Sequence, residues 1–114
     1  VSAPCIFCRI AAKEVPSNIV YEDDAIVAFR DLSPQAPTHV LVIPRRHVAS
    51  LDGMQAGDAG LLGAMMMAAK NIAAASGLSG GYRIVTNCGV DAGQSVSHVH
   101  LHLLGGRPMA WPPG

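Results

Sequence analysis

Gly93-Gln94-Ser95-Val96-Ser97-His98-Val99-His100-Leu101-His102-Leu103-Leu104-Gly105-Gly106 carries three of the chain's five histidines, spaced two apart. Val99, Leu101 and Leu103 fill the gaps. Period two is a strand period, so the imidazoles face one side and the aliphatics the other. At about 3.3 Å per residue, His98 and His102 stand roughly 13 Å apart, too far to share one metal on a straight strand. One histidine can then serve a metal while its neighbours do other work. The aliphatic face anchors the strand in a core, and the polar face forms the floor of a cleft. The flanking glycines read as turns.

The 114 residues suit one domain, residues 1–114. Charged residues make up 14%, well below the common share of about 25%. A chain this apolar is expected to hide further surface in a partner, and a second copy of itself is the simplest one. Lys plus Arg equals Asp plus Glu at 8 each, so no basic field exists to recruit nucleic acid or an anionic membrane. No apolar run reaches the 18 or so residues of a membrane span without interruption. Cys5, Cys8 and Cys88 are odd in number and include a tight Cys-x-x-Cys pair. That is not a secreted disulfide scaffold, and it points to the cytoplasm.

Residues 1–4 read as a loose tail. Cys5 to Lys13 reads as a short helix with Phe7 and Ile10 on one face. Ile19–Glu22 and Ala25–Arg30 read as a hairpin turned at Asp23-Asp24. Asp31 to Pro37 is a loop stiffened by two prolines. Thr38–Pro44 is continuously apolar after His39 and should be a central strand, buried on both faces. A connection with a cap at Asp52 leads to the main helix, from about Asp58 to Ser76. Its stripe is Leu61, Leu62, Met65, Met66, Ala69, Ile72 and Ala73, and Gly77 follows as the terminator. Tyr82–Asn87 is a strand, Cys88–Gln94 a loop, and Met109–Gly114 a rigid tail with the only Trp.

Two constellations carry chemistry. Cys5 and Cys8 form a claw with zinc-like spacing. His47 ends one strand and His98 opens another, so both can complete a closed, structural Cys2His2 site. In the second constellation His100 sits mid-strand with His102 beside it. A neutral imidazole is a nucleophile at phosphorus when its other nitrogen is anchored. The Gly93–Val96 turn offers backbone donors to phosphate oxygens, Ser95 adds a hydroxyl, and His39 and His102 can donate to the same oxygens. Nucleophile, oxygen clamp and proton source together are what phosphoryl or nucleotidyl transfer needs.

The run from His98 to Leu104 matches the histidine triad motif, His-φ-His-φ-His-φ-φ. With Phe29–His39, Leu41–Pro44, Gly93–Val96 and the tail through Trp111-Pro112-Pro113-Gly114, the chain resembles the Hint branch of the histidine triad (HIT) superfamily, the purine nucleoside phosphoramidases. The resemblance covers nearly the whole chain. It implies an α+β fold: a five-stranded antiparallel sheet, one main helix and a short N-terminal helix, with a dimer that forms a ten-stranded sheet. It implies hydrolysis of the P–N bond of adenosine or guanosine phosphoramidates through a nucleotidyl–histidine. By position, His100 is the nucleophile, and His102, His39 and Ser95 contact phosphate. Asn87, Gly93, Gln94 and Val96 lie beside the phosphate and leaving group. Asp31 takes the ribose hydroxyls. Phe7, Ile10, Phe29, Leu32 and Leu41 line the purine slot, and Trp111 reaches in from the partner subunit.

Some bacterial and archaeal relatives of this kind bind zinc (Zn2+) with the residues matching Cys5, Cys8, His47 and His98. No organic cofactor is implied. The chain departs from related proteins at Ala110, where a histidine is common, and this bears on leaving-group preference. A dinucleoside polyphosphate hydrolase of the Fhit branch would use the same His100, but Ser95 and the Trp111–Gly114 tail oppose that reading. A non-enzymatic nucleotide-binding scaffold is a second alternative, opposed by the intact His100, His102 and Ser95, and a zinc-held interaction module is a third, which leaves His39, His100 and His102 without a role.

Overall fold

The structure is a computed structural model describing residues 5–114, so the tail reading for residues 1–4 lies outside the described residues. Its spine is β3 (Thr38–Pro44), whose last six residues are all buried. β3 pairs antiparallel with β2 (Ile26–Arg30) on one side and β5 (Leu101–Gly105) on the other. β1 (Ile19–Glu22) and β4 (Tyr82–Val85) form the two edges, giving the order β1-β2-β3-β5-β4 with every neighbouring pair antiparallel. The five-stranded antiparallel sheet, the main helix and the short N-terminal helix are as expected.

Alternation along the strands divides the core in two. Ile26, Ala28, Val40, Val42, Leu101 and Leu103 pack against α2 (Ala59–Ala75) through Met65, Ala69, Ile72 and Ala73. Val27, Phe29, Leu41 and Ile43 face the other way and pack against Phe7, Ile10 and Ala11 of α1 (Ile6–Ala11). A central strand covered by a helix on each face must be apolar throughout, which is why β3 shows no alternation in its sequence.

Local chemistry sets the joints. Asp23 Oδ1 accepts from the backbone N–H groups of Ala25 and Ile26 at 2.8 and 2.9 Å, which turns the β1–β2 hairpin. α2 ends in a Schellman closure: Leu78 N–H donates to Ala73 O and Gly77 N–H to Ala74 O, both at 3.1 Å, with Gly77 at φ +72°. Gly105 lets Leu78 close over the sheet, because a Cβ there would stand 2.6 Å from Leu78 Cδ1.

Several boundaries differ from the sequence reading. α1 is only six residues long, with Cys5 as its cap. The cap before α2 is not Asp52 but Gln55 with Asp58, whose Oδ2 accepts from Gln55 N–H at 2.8 Å. Met66 is 43% exposed, and Ala68 takes its place on the buried stripe. β4 stops at Val85 instead of Asn87. β5 begins at Leu101, so His98 and His100 lie on its approach. No helix among the described residues is long and apolar enough to cross a membrane.

Candidate functional site

The approach to β5 is held from both sides. Val99 N–H donates to Val48 O at 2.7 Å, His98 N–H to Val96 O at 2.9 Å, and Thr86 Oγ1 to His100 O at 2.8 Å. Val99, Leu101 and Leu103 are buried on the aliphatic side. The imidazoles of His98 and His100 meet the edge or face of Phe7, with centroids 5.9 and 5.1 Å away. The expected division into an anchoring face and a histidine face is therefore present, although half of it precedes the strand.

The partners of the rings fix their protons. His98 is fully buried, and its Nε2–H donates to Pro44 O at 2.8 Å. Its Nδ1 lone pair then faces Cys5 Sγ at 3.4 Å, Cys8 Sγ at 3.5 Å and His47 Nδ1 at 3.2 Å. Cys8 Sγ lies 3.3 Å from His47 Nδ1. These separations match the edges of a tetrahedron with the bond lengths of a zinc site, about 3.6 Å for S···N and about 3.3 Å for N···N. A buried nitrogen lone pair aimed at two sulfurs and another nitrogen lacks a firm donor among them, and a metal ion would satisfy all four atoms at once. Burial, then the neighbouring Cys5, pushes the Cys8 thiol up from its ordinary value, so a cation is what would draw the thiolate form. The four residues expected at the metal site are brought together.

The second constellation is ordered by the same logic. Gln35 N–H donates to His39 Nδ1 at 3.0 Å, which leaves the proton of His39 on Nε2. That Nε2–H donates to His102 Nδ1 at 2.9 Å, so His102 carries its proton on Nε2. Asp31 Oδ2 lies 3.5 Å from His39 Nε2. The Nδ1–H of His100 donates to His98 O at 2.7 Å, leaving Nε2 as a bare lone pair. Burial above all, then the charges of His100 and His39, push His102 down to about 4 against the pull of Asp31. Burial likewise lowers His39. At neutral pH His102 is a neutral donor.

Asp31, His100 and His102 border a cleft of about 270 Å³. Phe7, Ile10, Phe29, Asp31, Leu32, Leu41, Ser95, Val96, His100 and His102 all line it. Leu32 is 95% exposed and so forms a rim, with no part in the core. Asn87, Gly93, Gln94 and Trp111 do not line the cleft within the single chain. His39 stands behind His102 with both ring nitrogens engaged, which leaves it no free atom for phosphate. Gln94 ties its loop: its Oε1 accepts from Gly89 N–H at 2.9 Å, and its Nε2 donates to Ala49 O at 2.8 Å and Val96 O at 3.0 Å. Ile6, Val15, Pro16, Ser17 and Arg30 also line the cleft and were not singled out from the sequence. Only the helical spacing of Ile6 next to Phe7 and Ile10 could have signalled one of them.

The HIT domain model matches residues 12–109, and a HIT-like protein of Synechococcus elongatus is 52% identical over 113 residues, covering 99% of both chains. The chain belongs to the HIT family. It has the fold of HIT family hydrolases: one from Legionella pneumophila is 51% identical with a TM-score of 0.95, covering 96% of this chain and 99% of that one. A histidine triad nucleotide-binding protein from Candida albicans is 32% identical with a TM-score of 0.81, covering 95% and 82%. The HIT match begins at residue 12, so Cys5 and Cys8 of the metal claw lie before it.

Proposed function

We propose that this HIT protein hydrolyses the P–N bond of purine nucleoside phosphoramidates, of the AMP-NH2 and AMP-lysine type, through a nucleotidyl–His100 intermediate. The observation that carries the reading is the bare Nε2 of His100 on the cleft wall, fixed by the Nδ1–H bond to His98 O. The lone pair attacks the phosphorus of a phosphoramidate protonated on nitrogen, the P–N bond breaks, and the neutral amine departs with the bond's electron pair. The ring becomes cationic, and the carbonyl of His98 stabilises the charge through the same hydrogen bond. Water then attacks phosphorus, the P–Nε2 bond breaks, and the monophosphate leaves. His102 Nε2–H and the Ser95 hydroxyl, both on the cleft wall, would donate to phosphate oxygens. Phe7, Ile10, Phe29 and Leu41 form an apolar slot for the base, and Asp31 is a carboxylate suited to a ribose diol.

The same reading makes the protein a cytoplasmic two-fold dimer, with Asn87, the Gly93 backbone and the partner's tail completing the leaving-group side. It assigns a structural zinc to Cys5, Cys8, His47 and His98, which would fasten α1 to the ends of β3 and the β5 approach. That ion supplies no step of the chemistry.

The test is rapid quench with an adenosine phosphoramidate, followed by mass spectrometry of the protein. An adenylyl adduct on His100 is expected, absent from His100→Ala, whose turnover falls at least about a thousandfold while monophosphate binding persists. Comparable turnover by a folded His100→Ala protein overturns the mechanism. Faster hydrolysis of diadenosine triphosphate than of the phosphoramidate moves the substrate class to the Fhit type.

A further inference from the structure

Ser17 Oγ is buried and has no hydrogen-bond partner, alone in this among the side-chain polar atoms of the described residues. A buried hydroxyl without a partner is uncommon and unfavourable. Ser17 is only half-buried as a residue, and it borders the cleft. Rotation about χ1 would break no existing hydrogen bond, so the hydroxyl is free to turn toward an occupant of the cleft.

Its place along the cleft follows from the sheet. Ile19 pairs with Phe29, and Arg30 N–H donates to Asn18 O at 3.0 Å, so the ladder sets Ser17 opposite Asp31 at the outer end of the hairpin. Going across the strand order, His102 stands on β5, Leu41 on β3 and Phe29 on β2, with Ser17 just before β1. Three strand spacings and an offset of two residues along the chain separate the first from the last, about 16 Å between backbones. The His102 side chain and a bound nucleoside monophosphate, laid end to end, span that distance. With phosphate at His100 and His102, the outer edge of the base arrives at Ser17. The walls between are apolar.

We infer that Ser17 is a specificity-determining residue whose hydroxyl binds the polar substituent on the outer edge of the purine. A hydroxyl both donates and accepts, so it serves the amine of adenine and the carbonyl of guanine alike. The slot would therefore separate substituted purines from an unsubstituted ring, and would discriminate weakly between adenosine and guanosine. This inference rests on the nucleotide reading of the cleft.

The test is calorimetric titration of the wild type and Ser17→Ala with the monophosphates of adenosine, guanosine, purine riboside and 2′-deoxyadenosine. The wild type should bind the adenosine and guanosine compounds about three- to tenfold more tightly than purine riboside monophosphate, the worth of one hydrogen bond. In Ser17→Ala that preference should vanish, while affinity for purine riboside monophosphate is kept. Tm should hold or rise, since no internal hydrogen bond is removed. An unchanged preference overturns the inference. So does loss of discrimination against the 2′-deoxy compound in its place, which would put Ser17 on the ribose. A fall in Tm with equal loss for every ligand overturns it as well, marking a structural role. Failure of the wild type to bind any of the four removes the nucleotide reading and the inference together.

Discussion

At the scale of single residues, the site is a question of which nitrogen holds a proton. The backbone N–H of Gln35 decides the tautomer of His39, and His39 decides that of His102. In the proposed reaction His39 is thus a positioning residue, acting on phosphate through His102. His39→Ala should let the proton of His102 move to Nδ1, turning a lone pair toward phosphate oxygens. The expected result is a fall in kcat of about tenfold to hundredfold with KM changed little. Nitrogen NMR of the imidazoles should show the tautomer change, a signature that simple loss of packing would not give. The same burial makes stability depend on pH. His102 has a folded value of about 4, below its ordinary 6.5, so its neutral form is the one the fold favours. The sign is that of a depressed base: its contribution is whole above about pH 6.5 and is lost as pH falls toward 4. For this partly exposed ring the loss is at most about 3 kcal/mol. Thermal melts from pH 7 to 4 should show Tm falling in that window, and less steeply in His102→Asn. Spacing in the sequence brought the five histidines into their two groups. It could not tell direct phosphate contact from support at one remove, because that depends on the register in which His39 faces Leu104 and Leu41 faces His102.

At the scale of elements, α1 is the piece least able to stand alone. Six residues cannot form a stable helix in water, so contacts outside the helix must hold it. Phe7, Ile10 and Ala11 pack on the sheet, and Cys5 and Cys8 meet His47 and His98. Cys5→Ser should therefore destabilise the fold by at least about 2 kcal/mol, with a lower Tm that chelator does not lower further. Because Phe7 and Ile10 also wall the cleft, KM should rise more than kcat falls. Elemental analysis should find close to one zinc per wild-type chain and little in the variant. The Gly89–Ser97 loop is held differently, by the amide of Gln94. Gln94→Ala removes three hydrogen bonds that tie the loop to Ala49, Gly89 and Val96. It should lower kcat by about tenfold through misplacement of Ser95, lower Tm by a few degrees, and raise hydrogen exchange over residues 89–97. The strand and helix positions were legible because apolar period and turn residues mark them directly. β3 was legible as central because six of its residues had to be covered on both faces. The loop ties of Gln94 were not legible, because an amide in a glycine-bearing loop looks the same in sequence whether it binds a nucleotide or its own backbone.

For the whole molecule, the exposed surface bears on assembly. Met66 and Met67 are 43% and 54% exposed on α2, Tyr82 is 44% exposed on edge strand β4, and Trp111 is 82% exposed. Arg83 Nη2 donates to Ala110 O at 2.9 Å, and Arg107 Nε and Nη2 donate to Gln35 O at 3.1 and 2.9 Å. The segment leading to Trp111 is therefore fastened, yet its largest apolar group covers nothing in its own chain. A two-fold partner placed over α2 and β4 would bury the methionines, continue the sheet at its β4 edge and give Trp111 a surface to meet. Such an interface should bury at least about 1,200 Å² in total. Light scattering should report a dimer at micromolar concentration. Met66→Lys combined with Met67→Lys should shift it to monomer, since two like charges would face their copies across the axis. The monomer should keep its Tm within a few degrees, because neither methionine is in the core. Its cleft should still bind nucleoside monophosphate, since the residues lining it all come from one chain. Turnover should fall for bulky amine leaving groups more than for unsubstituted AMP-NH2, because in the proposed arrangement what the monomer lacks is the partner's tail on the leaving-group side. Trp111→Ala in the dimer should reproduce that selectivity without dissociation. Equal loss for large and small leaving groups would show that Trp111 only seals the interface.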